Sequence, residues 1–175
     1  MSPLSSQSIS CNTSTLRQMI ESVAARYSLD SKLIASIVWE ESKGDPYAGR
    51  FEPDFYSKRL EWRQRKDLAG FVPTNLPTLD TEKVWRATSW GVMQVLGETA
   101  RVVGFRERYL TTLTDPRKSL EVGCIFLELL FKKAQGAKSD RNTVRKVLEW
   151  YNGSPVYDDR VLQHYDKGTF EGLWS

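Results

Sequence analysis

Apolar residues recur at helical spacing through most of this chain and lose that spacing once, between about Tyr47 and Ser89. Before the break, Leu16, Met19, Ile20, Val23, Ala24 and Tyr27 mark one amphipathic helix. Leu33, Ile34, Ile37 and Val38 mark a second, with Asp30 as N-cap and Gly44 as stop. After it, Glu98–Val103 reads as a short helix stopped by Gly104. Asp115-Pro116 opens a strongly apolar helix to about Ala134, with Gly136 beyond its end. Asp140 caps a helix to about Tyr151, and Ser154-Pro155 opens a last one ending near Gly168. Within the break, Glu82–Arg86 reads as a helical turn, and a short strand or hairpin is compatible with the rest. The pattern predicts a mainly α fold: one helical domain over residues 13–175 behind a polar lead over 1–12, with an irregular lobe inserted after the second helix. Long irregular segments inside compact domains are usually functional or disordered. The aromatics Phe51, Phe55, Tyr56, Trp62 and Phe71 argue against disorder, and the cleft between lobe and helices is the expected site.

Composition excludes more than it selects. At 175 residues, 40% hydrophobic and 27% charged, the chain suits one ordinary globular domain. A net charge of +3 is compatible with an anionic polymer as partner. It is not arranged along a recognition helix, so no nucleic-acid partner is expected. The two cysteines, Cys11 and Cys124, match no metal-ligand spacing, and with His164 as the single histidine neither a zinc cluster nor a His-based triad is expected. No metal and no cofactor is implied. No apolar run spans a membrane, and the N-terminus lacks the basic start and apolar core of a signal peptide. Synthesis in the cytoplasm and a monomer are the expectations.

Glu41 carries the first functional signal. At about 100° per residue, it projects along the middle of the stripe formed by Leu33, Ile34, Ile37 and Val38, whereas Glu40 falls to one side. A carboxyl on an apolar face resists ionisation, which suits a general acid. The competing reading is an ordinary ion pair with a Lys or Arg at the helix end.

Three motifs extend that signal: Glu41-Ser42-Lys43-Gly44-Asp45-Pro46-Tyr47-Ala48, then Ser89-Trp90-Gly91-Val92-Met93-Gln94, then Tyr151-Asn152-Gly153. Their order and separation resemble the soluble lytic transglycosylase family, lysozyme-like enzymes that cut peptidoglycan, over roughly Leu16 to Tyr165. Arg50-Phe51-Glu52-Pro53-Asp54-Phe55-Tyr56 and the unbroken Ala87–Gly97 run resemble phage-borne members most. Two departures stand out. Val92 takes the place of a Leu, and Trp150 takes that of an Ala, which puts a bulky aromatic near the cleft wall.

The resemblance implies an α+β lysozyme-like domain whose partner is the peptidoglycan glycan strand. It makes Glu41 the catalytic acid and then base at the bond between N-acetylmuramic acid and N-acetylglucosamine. The attacking group would be the sugar's own C6 hydroxyl, giving a 1,6-anhydro product without a second enzymic carboxyl. Ser42 would orient Glu41 or contact sugar, or simply end the helix. Gln94 suits an N-acetyl or hydroxyl group, or a loop hydrogen bond. Tyr151 and Asn152 would reach the cleft floor, with Tyr151 bonding Glu41 or an acetamido group and Asn152-Gly153 equally a helix cap. Met93 reads as core. Glu52 either faces Glu41 and activates water, making a hydrolytic muramidase at a separation of about 6.5–9.5 Å, or pairs with Arg50 or the basic run Lys58, Arg59, Arg63, Arg65 and Lys66. Phe55, Tyr56 and Trp90 either stack on sugars or pack the lobe. A non-catalytic wall-binding module is the reading from another class. Without an export signal, an enzyme of this kind reaches the wall by lysis, by a secretion machine or in a phage virion.

Overall fold

A computed structural model describes residues 15–75 and 78–174. The polar lead over 1–12, and Cys11 with it, lies outside the described residues. Thr15 starts α1 (Leu16–Arg26) with a capping box, its hydroxyl accepting the Gln18 N–H while the Gln18 side chain accepts the Thr15 N–H at 3.0 Å. Asp30 caps α2 (Ser31–Ser42), accepting from Lys32 N–H at 2.8 Å, and its second oxygen accepts from the Tyr165 hydroxyl at 2.7 Å. Leu33, Ile34, Ile37 and Val38 are buried along α2, each such side chain contributing about 1.5–3 kcal/mol. The helix stops one residue before the expected glycine. Lys43 itself takes a left-handed φ of 54°, and Gly44 follows at 85°.

The inserted segment is more structured than its sequence suggests. A three-stranded antiparallel sheet, β1 (Gly49–Phe51), β2 (Thr88–Trp90) and β3 (Val95–Leu96), pairs in that order, with Arg50 opposite Ser89 and Ser89 opposite Leu96. Between β1 and β2 lie a turn of helix, α3 (Pro53–Phe55), running into a π-helical turn at Tyr56–Leu60, a 3-10 turn at Arg65–Asp67, and α4 (Leu79–Arg86). The helix α4 is longer than the turn expected from Glu82–Arg86. Leu60, Leu68 and Ala87 form a small separate core with Phe55, Tyr56, Val72 and Leu79. Trp62 does not join it. At 83% exposed, it lends the lobe little packing.

What fixes the lobe is polar. Glu82, Arg86 and Arg101 have no solvent exposure and sit in one cluster with Glu98. The Glu82 carboxylate accepts from Arg86 Nε at 3.0 Å and from Arg101 Nε at 2.8 Å, and Arg86 also donates to Glu98 at 2.6 Å. The spare guanidinium N–H groups reach backbone carbonyls, Ala69 and Phe71 from Arg86 and Phe105, Glu107 and Arg108 from Arg101. Buried charges persist only when paired and hydrogen-bonded in this way. No signal in the periodicity marked them.

The second half follows the expected order. It runs through α5 (Gly97–Val102), a 3-10 turn at Leu110–Thr114, α6 (Pro116–Ala134), α7 (Arg141–Asn152), α8 (Tyr157–Lys167) and a 3-10 segment at Thr169–Trp174. Asp115 caps α6, whose Leu120, Cys124, Leu127, Leu130 and Phe131 are buried at the centre of the core. Burial pushes the Cys124 thiol up to about 12, so it is an inert core thiol. The last helix starts at Tyr157 rather than at Ser154-Pro155. Among the described residues, no helix is long and apolar enough to cross a membrane.

Candidate active site

The second motif is the β2–β3 hairpin. Its turn, Gly91 to Gln94, puts Gly91 at φ 69° and Gln94 at 46°. Gly91 is required on two counts. A side chain there would be strained at positive φ, and a Cβ would lie 2.2 Å from the Leu113 carbonyl oxygen. Val92 and Met93 point into the core, Met93 against Gly123 of α6, so Met93 is a core residue as its sequence context suggests. The turn is tied to the end of α2, because Ser42 Oγ lies 2.9 Å from the Val92 carbonyl oxygen and 3.2 Å from that of Val38. Ser42 therefore joins two motifs and does not bond Glu41.

A cleft of about 490 Å³ opens between the lobe and the helices, lined by Glu41, Glu52, Phe55, Gln94, Tyr151 and Asn152, among others. Four of the five residues expected beside Glu41 thus share its cleft, and Ser42 lies behind the wall. The Gln94 amide nitrogen donates to the Ala48 and Gly91 carbonyls at 2.9 and 3.0 Å, which holds the loop and leaves Oε1 as the side chain's uncommitted acceptor. The Tyr151 hydroxyl donates to the Met93 carbonyl at 2.7 Å, so it braces the same turn and does not bond the Glu41 carboxyl. Gly153, at φ 81°, supplies the left-handed cap of α7, and Asn152 ends the helix as an exposed residue.

The two adjacent acids of α2 have different surroundings. Glu40 is held by Arg160 at 3.2 Å and by His164 Nε2 at 3.0 Å, and His164 Nδ1 in turn meets Thr169 Oγ1 at 2.6 Å. Glu41 carries no ion pair among the described residues. Burial, the largest influence, raises its carboxyl above the ordinary value of 4.5, and the charge of Glu40 adds to the rise. The Tyr157 hydroxyl, the Arg50 charge and the Asn152 amide pull it back, in that order after burial. The negative end of the α2 dipole acts in the same direction as burial.

Tyr157 is the residue that sequence reasoning missed. Its hydroxyl is directed at Glu41 but closes no hydrogen bond and is buried without a partner. The ring stacks on Tyr151 at 6.2 Å between centroids, and Tyr151 packs on Phe126 at 5.4 Å, forming an aromatic floor under the acid. The available signal was the Gly153-Ser154-Pro155 turn, which brings Tyr157, two residues beyond it, back beside Tyr151. Glu52 lines the cleft, but its carboxylate accepts from Arg50 Nε at 2.7 Å. Phe55 reaches the cleft wall, whereas the Trp90 indole donates to the Trp85 carbonyl at 2.9 Å and packs against the core.

A mainly α, lysozyme-like body with a small sheet and one unpaired acid in an open cleft describes a class of glycan-cutting domain. The family described as "Transglycosylase SLT domain" matches residues 18–170, and the chain belongs to that family. Its function is of the peptidoglycan-degrading, transglycosylase type. A protein named endolysin, from Enterobacteria phage PRD1, is 27% identical over 134 residues, covering 70% of this chain and 87% of its own length. No solved structure matches the chain.

Proposed function

We propose that the protein is a lytic transglycosylase in which Glu41 alone performs the proton transfers. The observation that carries this reading is the contrast on α2: Glu40 is paired twice, while Glu41 faces the cleft unpaired and desolvated. In its acid form, which burial favours, Glu41 gives its proton to the oxygen between N-acetylmuramic acid and N-acetylglucosamine. The carboxylate left behind then takes the proton of the C6 hydroxyl as that oxygen closes on the anomeric carbon. The 1,6-anhydro end results, and no water is consumed. The substrate's own acetamido group stabilises the developing cation. Asn152 lies beside that chemistry, and Gln94 Oε1 is available to an N–H or hydroxyl of the sugar. Tyr157 acts as a positioning residue, its unpartnered hydroxyl closing on Glu41 once the carboxylate forms.

The ion pair of Glu52 with Arg50 supports assigning it to substrate binding and not to water activation. The hydrolytic muramidase is the second reading, favoured by the presence of Glu52 in the same cleft. Mass spectrometry of fragments released from purified peptidoglycan separates the two. Anhydromuramic ends that vanish in Glu41→Gln are expected. Reducing muramic ends would move the assignment to hydrolysis, and Glu52→Gln would then abolish activity. Under the transglycosylase reading, Glu52→Gln weakens activity and leaves the product unchanged. Similarity to a phage endolysin supports a lysis enzyme acting on the host wall.

A further inference from the structure

The exposed indole of Trp62 sits in the most basic stretch of the chain. The Arg63 N–H bonds the Leu60 carbonyl at 3.0 Å, which makes Glu61 and Trp62 the corner residues of a turn. Leu60 and Leu68, buried before and after it, fix the base of that turn, so the indole is held outward. Residues 58–66 flank it with five cations, Lys58, Arg59, Arg63, Arg65 and Lys66, against one acid, Glu61. That segment alone carries more net charge than the +3 of the whole chain. Little of it is neutralised within the fold. Arg59 and Lys66 are exposed and make no ion pair among the described residues, and Arg65 donates to the neutral Pro73 carbonyl. Lys58 meets Asp54 at 3.0 Å with both side chains exposed, and Arg63 lies 3.8 Å from Glu98. Pairs as exposed as the first contribute little.

We propose that this face of the lobe docks on an anionic lipid surface, with the Trp62 indole in the headgroup layer and Arg59 and Lys66 on lipid phosphates. An indole has an apolar body and a polar N–H, which suits the zone between water and acyl chains. Lys and Arg clustered beside it add attraction to anionic headgroups. The shape of the patch separates this partner from a polymer. Strand-like polyanions are tracked by a groove, whereas neither Trp62 nor any of the five cations lines the cleft. A turn corner that projects outward meets a flat partner instead. The patch is also continuous with the cleft wall, because α3 and the π-helical turn run without a break from Asp54 and Phe55, which line it, to Lys58 and Arg59. Docking would therefore hold the cleft close to the bilayer. The inference stands apart from the transglycosylase reading, since it needs no cleavage.

The test sediments the full chain with vesicles of phosphatidylcholine, with or without phosphatidylglycerol. Binding to the phosphatidylglycerol vesicles, lost as salt is raised, is expected, and none to phosphatidylcholine alone. Arg59→Gln with Lys66→Gln should weaken binding about 25-fold, at about fivefold per cation. Trp62→Ala should weaken it about tenfold. The chain has six tryptophans, so the inserted one is identified by a blue shift on vesicles that Trp62→Phe removes. All three side chains are exposed and outside the cleft, so each variant should fold and cut soluble glycan strands like the wild type. Failure to bind, or binding that survives the paired charge change, would overturn the proposal. Retention on lipid-free teichoic acid in place of vesicles would overturn it in favour of a polymer partner. A wild type that binds vesicles but cuts nothing would sink the enzymatic reading and leave the docking surface standing.

Discussion

Ser42 Oγ lies 2.9 Å from the carbonyl oxygen of Val92, so the end of the helix that carries Glu41 and the turn that carries Gln94 are held as one unit. The same hydroxyl accepts the Gly44 N–H at 3.1 Å, fixing the first residues beyond the helix. Ser42→Ala should cost about 1 kcal/mol of stability, the net worth of such a bond. It should lower kcat more than it raises KM, because the acid and the substrate-facing turn lose their common anchor. Urea denaturation and steady-state kinetics on soluble glycan strands check the two halves.

Glu41→Gln should abolish cleavage and raise thermal stability, with a definite dependence on pH. Folding raises the Glu41 pKa, so the native state is penalised once the unfolded chain would ionise, above about 4.5. The penalty is absent below that value, grows as pH rises through it, and is complete above the native pKa. The Tm gain of Glu41→Gln should therefore be largest at neutral pH and vanish in acid. Glu40→Gln, which breaks the Arg160 and His164 contacts, should keep activity and lose stability.

Tyr157→Phe should leave stability unchanged or slightly higher, since the hydroxyl removed is buried without a partner. It should cut kcat about tenfold, the equivalent of about 1.4 kcal/mol and so of one neutral hydrogen bond. The hydroxyl lowers the Glu41 pKa. Removing it raises that pKa, and the alkaline limb of the kcat/KM profile should move to higher pH. An unshifted limb would reduce Tyr157 to a packing role.

Glu82→Gln should be the most damaging of these changes to the fold, because it leaves two guanidinium groups with less compensation in a site closed to water. Removing one partner from such a cluster costs about 3–5 kcal/mol. Denaturant titration followed by tryptophan fluorescence measures it, and partial lysis activity in surviving folded protein would show that the cluster has no chemical part.

Much of the helical frame was legible in the sequence because its signals are local. Asp30, Asp115 and Asp140 all cap where an Asp precedes a 3.6-residue stripe. The distinction between Glu40 and Glu41 was legible for the same reason, since Glu41 follows Val38 by three residues and Ile37 by four, on their face, while Glu40 turns aside to Arg160. The lobe was not. Its strands are two or three residues long, too short for alternation to register. Arg86 and Arg101 look like surface residues on short helices until Glu82 is placed between them. Tyr151 illustrates the limit at the site: its spacing brings it to the cleft, but its hydroxyl is spent on the Met93 carbonyl, and the hydroxyl facing Glu41 comes from Tyr157 across a turn.

The buried lattice of Glu82, Arg86, Glu98 and Arg101 has a mechanical meaning. It bolts α4, α5 and the loop around Ala69–Phe71 together, and Thr99, next to Glu98, lines the cleft. Such a lattice resists gradual deformation, because a small shear would strip several charges of their partners at once. That side of the cleft is braced as a fixed jaw, so a strand entering it meets a wall that does not yield.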